Sequence, residues 1–411
     1  MFRVIANVGA FRAAMSIVSK VAWTKSTKPI LGCVVLRTCG HDEPDGYCLE
    51  LTATDLERAI KVRLHEVQIE HSGTIAIPAA RLMEILKKTG SDTIYLEETL
   101  AARIEHEVGQ KPREITGTVM IRDDCSAQSV FSERVENFPP IPSPFIEPDT
   151  TVTLETMREL ISRSIFAVAR DNGRYSFNGL HLRANGKLII EATDGRRLAR
   201  TSGPSLVKLE TEKRAIIPAK TAKLLGDICK AEESRHKTAW RKFRQVLETT
   251  GVGIAVRENQ TVFRVGNVAL VTNHVEGQFP PVDDVIPKET LTTITAARLD
   301  LIDALERVAS VCSEESKGVA LEITVGRGFD ISAKSDARGA ANSFYPCKVE
   351  GNCMRIGFNP SFLADGLRAC PGDEGTIKLT APNRPGLLNP SGMGYGYGGS
   401  FDYVLMPVNL Q

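Results

Sequence analysis

Two aspartates stand in matching surroundings, Asp55 in Ala53-Thr54-Asp55-Leu56-Glu57 and Asp194 in Ala192-Thr193-Asp194-Gly195-Arg196. Paired carboxylates are what general acid–base catalysis asks for. These two lie 139 residues apart (194 − 55) in repeated segments, which assigns them to different domains. An aspartate after Ala-Thr at a strand end is more simply a turn-former, its carboxylate accepting backbone N–H groups. The nine cysteines (Cys33, Cys39, Cys48, Cys125, Cys229, Cys312, Cys347, Cys353 and Cys370) include no Cys-x-x-Cys pair. Most have apolar neighbours, as in Leu31-Gly32-Cys33-Val34-Val35, and read as buried reduced thiols. Cys39-Gly40-His41 comes nearest to a zinc ligand set and is too isolated to be one. The seven histidines show no spacing suited to activating a nucleophile. The glycine run Gly392-Met393-Gly394-Tyr395-Gly396 precedes a strand-like segment rather than a helix, so it reads as a hairpin loop and not a dinucleotide fingerprint. No catalytic residue, metal or cofactor is therefore expected, and the chain does not read as an enzyme.

Lysines and arginines form the remaining pattern. Three segments carry an apolar helical stripe: Phe11, Met15, Val18 and Ala22; Met157, Ile161, Ser164 and Val168; Leu301, Leu305, Val308 and Cys312. Off the stripes lie Arg12, Ser16 and Lys20, then Arg158, Arg163 and Arg170, then Arg298 and Arg307. A second, shorter helix is expected after each of Pro78, Pro218 and Pro360, since proline suits a first helical turn. These helices bear Arg81, Lys87 and Lys88, then Lys220 and Lys223, then Arg368. One such face is ordinarily a solvated face. Six of them in three repeats would make a phosphate-attracting surface if the copies share an axis.

The positioning elements recur as a set. Ile77-Pro78-Ala79-Ala80-Arg81-Leu82 returns as Ile217-Pro218-Ala219-Lys220-Thr221-Ala222 and again as Phe358-Asn359-Pro360-Ser361-Phe362-Leu363. Asn137-Phe138-Pro139-Pro140-Ile141 returns as Gln278-Phe279-Pro280-Pro281-Val282, and a degraded third copy of the aspartate turn is Ile331-Ser332-Ala333-Lys334-Ser335-Asp336. A repeat of this length is a whole domain. Between the helices come alternating segments, as where Ile60, Val62 and Leu64 oppose Lys61, Arg63 and His65. The fold class is α+β: three tandem copies, each with two helices segregated onto antiparallel sheets. Boundaries fall in proline-rich stretches, giving domains 1–146, 147–288 and 289–411. Residues 231–247, rich in charge, and 384–400, rich in glycine, read as insertions.

A chain of 411 residues with 42% hydrophobic and 25% charged residues has the composition of a soluble globular protein. It holds no run of about 18 apolar residues, and Met1-Phe2-Arg3-Val4-Ile5-Ala6-Asn7 lacks a secretion-signal core, so a cytoplasmic location is expected. The net charge of +1 leaves nucleic-acid binding open, because the distribution of charge matters more than its sum. The terminal Tyr403-Val404-Leu405-Met406-Pro407-Val408 reads either as an edge strand closing the last sheet or as an exposed apolar patch where a peptide docks.

Taken in order, Lys28-Pro29-Ile30-Leu31-Gly32, Ala53-Thr54-Asp55-Leu56-Glu57, Arg174-Tyr175-Ser176-Phe177-Asn178-Gly179, Ala192-Thr193-Asp194-Gly195-Arg196-Arg197-Leu198, Gly277-Gln278-Phe279-Pro280 and Tyr403-Val404-Leu405-Met406-Pro407 resemble the bacterial sliding clamp, the beta subunit of DNA polymerase III, over essentially the whole chain. The resemblance implies a head-to-tail homodimer of the processivity fold, six domains closing a ring around duplex DNA with helices lining the hole. It implies a non-catalytic factor that tethers the replicative polymerase, the clamp loader and other peptide-bearing proteins. DNA contacts implied by the resemblance are Lys25, Arg174, Tyr175 and Lys220; the helix pattern adds Arg12, Lys20 and Arg81. The family often shows two adjacent tyrosines where this chain has Tyr175-Ser176. A cleft for a peptide with a glutamine and apolar residues is implied at Phe177, Thr193, Gly195, Arg196, Arg197, Leu198, Pro280, Val285, Val404, Met406, Pro407 and Val408. Asp284 stands where some relatives carry a basic residue, and the chain ends Asn409-Leu410-Gln411 rather than arginine-leucine. Edge strands would pair between subunits near Val130 on one chain and Val311 on the other. The alternative is an interaction scaffold of clamp ancestry that binds peptides without encircling DNA.

Overall fold

The structure is a computed structural model that describes the chain except residues 1, 41–45, 100–102, 106–112, 116, 142–145, 170–176, 208, 210, 243–250, 313–317, 392–398 and 410–411. It contains two compact units, Met1–Asp149 with Ala231–Asn273, and Thr150–Lys230 with His274–Gln411. Both are α+β, with antiparallel sheets carrying the helices.

In the first unit a five-stranded sheet runs in the order Ala127–Ser132, Gly117–Arg122, Thr93–Thr99, Arg3–Asn7, Val67–His71. A second sheet carries the order Gly251–Val256, Gln260–Val265, Val268–Asn273, Arg58–Leu64, Cys48–Thr54, Cys33–Cys39, Thr74–Pro78. The alternation read at Ile60, Val62 and Leu64 is real, all three being buried. On the opposite face Arg63 is buried as well, because it and Lys61 gather on the buried Glu50 carboxylate at 3.7 and 3.2 Å. Two helices belong here, α1 (Val8–Val18) and α2 (Ala79–Lys88). Asn7 caps α1 by accepting the Ala10 N–H at 2.9 Å. Phe11, Met15 and Val18 are buried as the stripe requires, but α1 stops at Val18 and Ala22 sits half-buried in the turns beyond.

The second unit has a nine-stranded sheet in the order Lys213–Pro218, Gly179–Ala184, Lys187–Thr193, Arg197–Pro204, Ser400–Leu405, Gly386–Pro390, Glu374–Leu379, Thr292–Ala297, Lys348–Gly351. A four-stranded sheet follows the order Gly339–Pro346, Gly328–Ser335, Val319–Thr324, Met354–Phe358. Helices α3 (Leu154–Ser162), α5 (Arg298–Ala309) and α6 (Pro360–Ala369) pack on them. Ser164 and Val168 are buried although α3 has already ended. The apolar period continues there through a 3-10 turn, Ile165–Ala167. Asn359 caps α6 by accepting the Ser361 and Phe362 N–H groups, with Pro360 in the first turn.

The expected length of one helix is corrected. The helix after Pro218 is not short: α4 spans Ala219–Lys242 and takes in residues 231–242 of the expected insertion 231–247. The physical reason is composition, since Ala231 through Lys242 holds no proline or glycine and is rich in strong helix formers. Glu232 and Arg235 pair across one turn at 3.3 Å. Of the cysteines, Cys33, Cys39, Cys48, Cys229, Cys312 and Cys370 are buried, and Cys125 and Cys353 are exposed. Burial pushes the Cys347 thiol up to about 11 and that of Cys370 up to about 12, the reverse of what a nucleophile needs. The expected insertion 384–400 is also corrected, since Gly386–Pro390 is a strand pairing with both Glu374–Leu379 and Ser400–Leu405; its apolar Leu387 and Leu388 are buried, and the glycine run 392–398 lies outside the described residues.

Candidate peptide cleft and basic helix faces

The two aspartates are turn-formers of the same construction. Asp55 accepts the Glu57 and Arg58 N–H groups at 3.2 and 2.9 Å, and Asp194 accepts those of Arg196 and Arg197 at 3.0 and 3.1 Å. In each turn the threonine before the aspartate donates to the arginine carbonyl, Thr54 to Arg58 at 2.8 Å and Thr193 to Arg197 at 2.7 Å. The arginine then folds back on its own aspartate, Arg58 at 2.8 Å and Arg197 at 3.0 Å. The third turn position needs a positive φ. Gly195 supplies +84°, whereas the first unit forces Leu56 to +75° with its side chain 49% exposed. A Cβ built on Gly195 meets only the Phe177 ring, at 3.8 Å, so space is not the constraint. Gly195→Ala is expected to cost about 1–2 kcal/mol through backbone strain alone, and chemical denaturation measures it.

Around the second turn the expected cleft residues come together. The Met406 N–H donates to the Arg196 carbonyl at 2.9 Å, tying the C-terminal segment to the turn. Leu198 pairs with Val404 across adjacent strands, and both are buried beside Val282 and Leu387. Phe279, Val285 and Ile286 pack onto that cluster. Gly195, Arg196 and Met406 stand exposed, Pro280, Val285, Pro407 and Val408 half-buried, and Phe177 and Thr193 buried. The result is a buried apolar cluster edged by the exposed Gly195, Arg196 and Met406. The C-terminal segment is thus both things at once, a strand pairing with Arg197–Pro204 and a half-buried tail beyond it.

Arg197 behaves differently from its neighbours. Its guanidinium is 5% exposed and reaches Asp194, Asp365 on α6 at 2.8 Å and the Phe166 carbonyl at 2.9 Å. It also lies 4.1 Å from the centre of the Phe362 ring. It braces the floor from behind rather than facing outward.

A charged row that the sequence reading missed lies on the strand face that carries Leu198. His181, Glu191 and Arg200 are direct cross-strand partners on three adjacent strands. Glu191, its side chain 1% exposed, receives His181 Nδ1 at 2.8 Å and Arg200 Nε at 2.7 Å, with Arg183 at 3.6 Å. Burial pushes the Glu191 carboxyl up, but the His181 hydrogen bond and the Arg200 and Arg183 charges outweigh it and hold the group below the ordinary glutamate range. A depressed folded value contributes stability that is full above the unfolded value of about 4.3 and lost as pH falls through the folded one. The unfolding free-energy difference between wild type and Glu191→Gln is therefore expected to be larger at about pH 5 than at about pH 3 in denaturant titrations.

The basic helix residues divide. Lys20, Lys25, Arg81 and Lys220 are exposed, while Arg174 and Tyr175 lie outside the described residues. Arg81 is paired with Glu84 at 2.8 Å, and Lys88 holds the same carboxylate at 2.7 Å, which lowers its pKa. Arg12 is committed inside its unit, donating to the Leu86 and Thr89 carbonyls at 2.9 and 3.0 Å and so closing the C-terminus of α2. Arg298 does the same for α6, reaching the Leu367 carbonyl at 2.7 Å. Val130 lies on Ala127–Ser132, an edge strand, and faces inward, while the next residue, Phe131, is 50% exposed. Val311 sits in the turn after α5 and on no strand; the edge of the neighbouring four-stranded sheet is Gly339–Pro346, which exposes Phe344. Among the described residues no group of histidine, cysteine, aspartate and glutamate side chains could hold a metal ion, and no helix is long and apolar enough to cross a membrane.

Comparison with known proteins agrees with this geometry. The model of the DNA polymerase III beta subunit central domain matches residues 151–281, and that of its C-terminal domain matches residues 283–409. The beta sliding clamp of Synechocystis sp. is 26% identical, with 99% of each chain covered, and that of Caulobacter vibrioides is 26% identical with 98% of each covered. Among solved structures, the DNA polymerase sliding clamp from Bacillus subtilis superposes with a TM-score of 0.83 at 19% identity, covering 100% of both chains. The DNA polymerase III subunit beta from Pseudomonas aeruginosa gives 0.83 at 24% identity, covering 99% of this chain and 100% of that one. With two consecutive domain models matched and the repeated aspartate turn in place, the chain belongs to the DNA polymerase III beta-subunit family, the bacterial sliding clamps.

Proposed function

We propose that this protein is a DNA polymerase processivity factor, a clamp that closes as a head-to-tail homodimer around duplex DNA and slides. The observation that carries this reading is the consecutive match to two beta-subunit domains, over residues 151–281 and 283–409. The chain divides into domains 1–146, 147–288 and 289–411, each contributing a helix pair. The exposed Lys20, Lys25, Arg81 and Lys220 contact the phosphates, with Arg12 acting mainly by holding α2 in place; Arg174 and Tyr175, outside the described residues, join them on the family resemblance alone. Such contacts are weak and indifferent to sequence, which permits movement along the duplex.

Partners dock through the cleft built by Thr193–Leu198, the 279–285 segment and Val404–Val408. A glutamine-bearing apolar peptide fits, since exposed backbone and Arg196 offer hydrogen bonds above an apolar floor. The edge strand holding Val130, with the exposed Phe131, pairs with the partner subunit's third domain near Val311, most directly through Gly339–Pro346. Two long unpaired strand edges with exposed aromatic residues favour such a union. A cytoplasmic replication factor that does no chemistry follows from this reading.

Closure needs two chains. Sedimentation equilibrium is expected to give a mass twice the 44.8 kDa of the chain. A monomer at the highest soluble concentration would exclude the ring and leave the scaffold reading, in which the cleft binds peptides and no DNA is encircled.

A further inference from the structure

The cleft has one wall that belongs to no regular element, the segment from Phe279 to Ile286, and something must fix it. Two residues of that segment are attached to the sheet. The His181 ring stacks on the Phe279 ring, centroids 4.6 Å apart and planes at 19°. Asp283 accepts from Arg200 Nη2 at 2.5 Å, and this ion pair holds its carboxyl below the ordinary aspartate range. Between the two attachments lie Pro280 and Val282, and just beyond them Val285 and Ile286, which pack onto Leu198 and Val404.

Both anchors hang on Glu191. Its two carboxylate oxygens hold His181 on one neighbouring strand and Arg200 on the other. Arg183 adds a further charge and pairs with Glu212 at 3.3 Å. A buried ionic group is a poor way to stabilise a sheet, because desolvation offsets most of the attraction. Its advantage is geometric, since a carboxylate flanked by two donors fixes the direction of each. Leu198 and Arg200 are two residues apart on one strand and so share a face, with Arg200 beside the cleft floor.

We infer that the row His181–Glu191–Arg200, closing on Phe279 and Asp283, is a positioning device that holds the irregular wall of the peptide cleft in its binding shape. The inference rests on the peptide-docking reading of that cleft. Asp283 is the residue to alter, because its side chain is 68% exposed and its loss leaves no buried group unpaired except one arm of Arg200.

The test uses the full-length protein and a fluorescein-labelled synthetic peptide with one glutamine followed by leucine and phenylalanine residues, read by anisotropy. Asp283→Asn is expected to raise the Kd about tenfold, with Asp283→Glu restoring most of the affinity. Arg200→Gln with Asp283→Asn together should weaken binding no more than the worse single variant, the signature of two groups in one latch. Amide exchange over residues 279–286 should quicken in Asp283→Asn while the melting temperature stays near that of wild type. If the unaltered protein binds the peptide and Asp283→Asn binds it equally well, the latch is wrong and the cleft stands. If the unaltered protein does not bind the peptide at all, the cleft reading falls and takes the latch with it.

Discussion

Protein loaded onto a nicked circular plasmid by a cognate loader is expected to stay with the DNA through gel filtration, and a single cut that linearises the plasmid is expected to release it. The reason lies in how little grip the chain offers. Of the basic residues that line its helices, Arg12 and Arg298 are occupied in capping α2 and α6, and Arg81 and Lys88 share the Glu84 carboxylate. A protein held by phosphate contacts alone loses roughly 10³-fold or more in affinity between about 50 and 200 mM salt when it makes about six to ten of them. A closed ring on a circle is held by topology, so raising the salt over that range should leave retention on circles nearly unchanged. On linear DNA the same protein runs off the ends within the time of the column. Equal retention on circular and linear DNA would show that contacts, not closure, hold it.

Arg197 carries the second large effect. Replacing it with alanine leaves Asp365 without its strongest partner, empties a cation from the Phe362 ring and strips the Phe166 carbonyl of a donor. Losing a buried guanidinium that hydrogen-bonds Asp194, Asp365 and the Phe166 carbonyl costs about 3–5 kcal/mol, since bonds involving a charged group contribute about 1.5–3 kcal/mol each and Asp365, which keeps Arg368 at 3.2 Å, recovers only part of the loss. Arg197→Ala should lower the stability of the second unit by that amount in denaturant titrations. Arg197→Lys should recover only part of it, because one ammonium cannot reproduce a fork that meets Asp194 on one side and Asp365 on the other. An Arg197→Ala protein as stable as wild type would mean that the guanidinium is not a brace. Exposed Arg196, one residue earlier, serves as the control, and its removal should change stability by less than about 0.5 kcal/mol.

Much of the site was legible before any coordinates. The Ala-Thr-Asp turns declared themselves by repetition, and their side chains bond to the backbone within three residues, so local sequence contains the whole interaction. The helix stripes were legible for the same reason, although their ends were not. The stripe of α3 runs on through Ser164 and Val168 after the helix has stopped, because burial continues where helical hydrogen bonding does not. The length of α4 is not legible locally, since its charged segment looks like an interruption although its residues are good helix formers on a continuing helix. The place of Arg12 off the stripe suggests a phosphate contact, and periodicity carries no information about the carbonyl 74 residues away that it caps.

Taken alone, the chain determined its class of fold, its family and its repeated aspartate turns, because period, turn chemistry and order along the chain are local quantities. Where its charges are used was decided only by the tertiary structure. Arg197 and Asp365 are 168 positions apart, and Arg200 and Asp283 are 83 apart. Electrostatic energy depends on distance through space and on the exclusion of water, and neither is set until the sheets have packed.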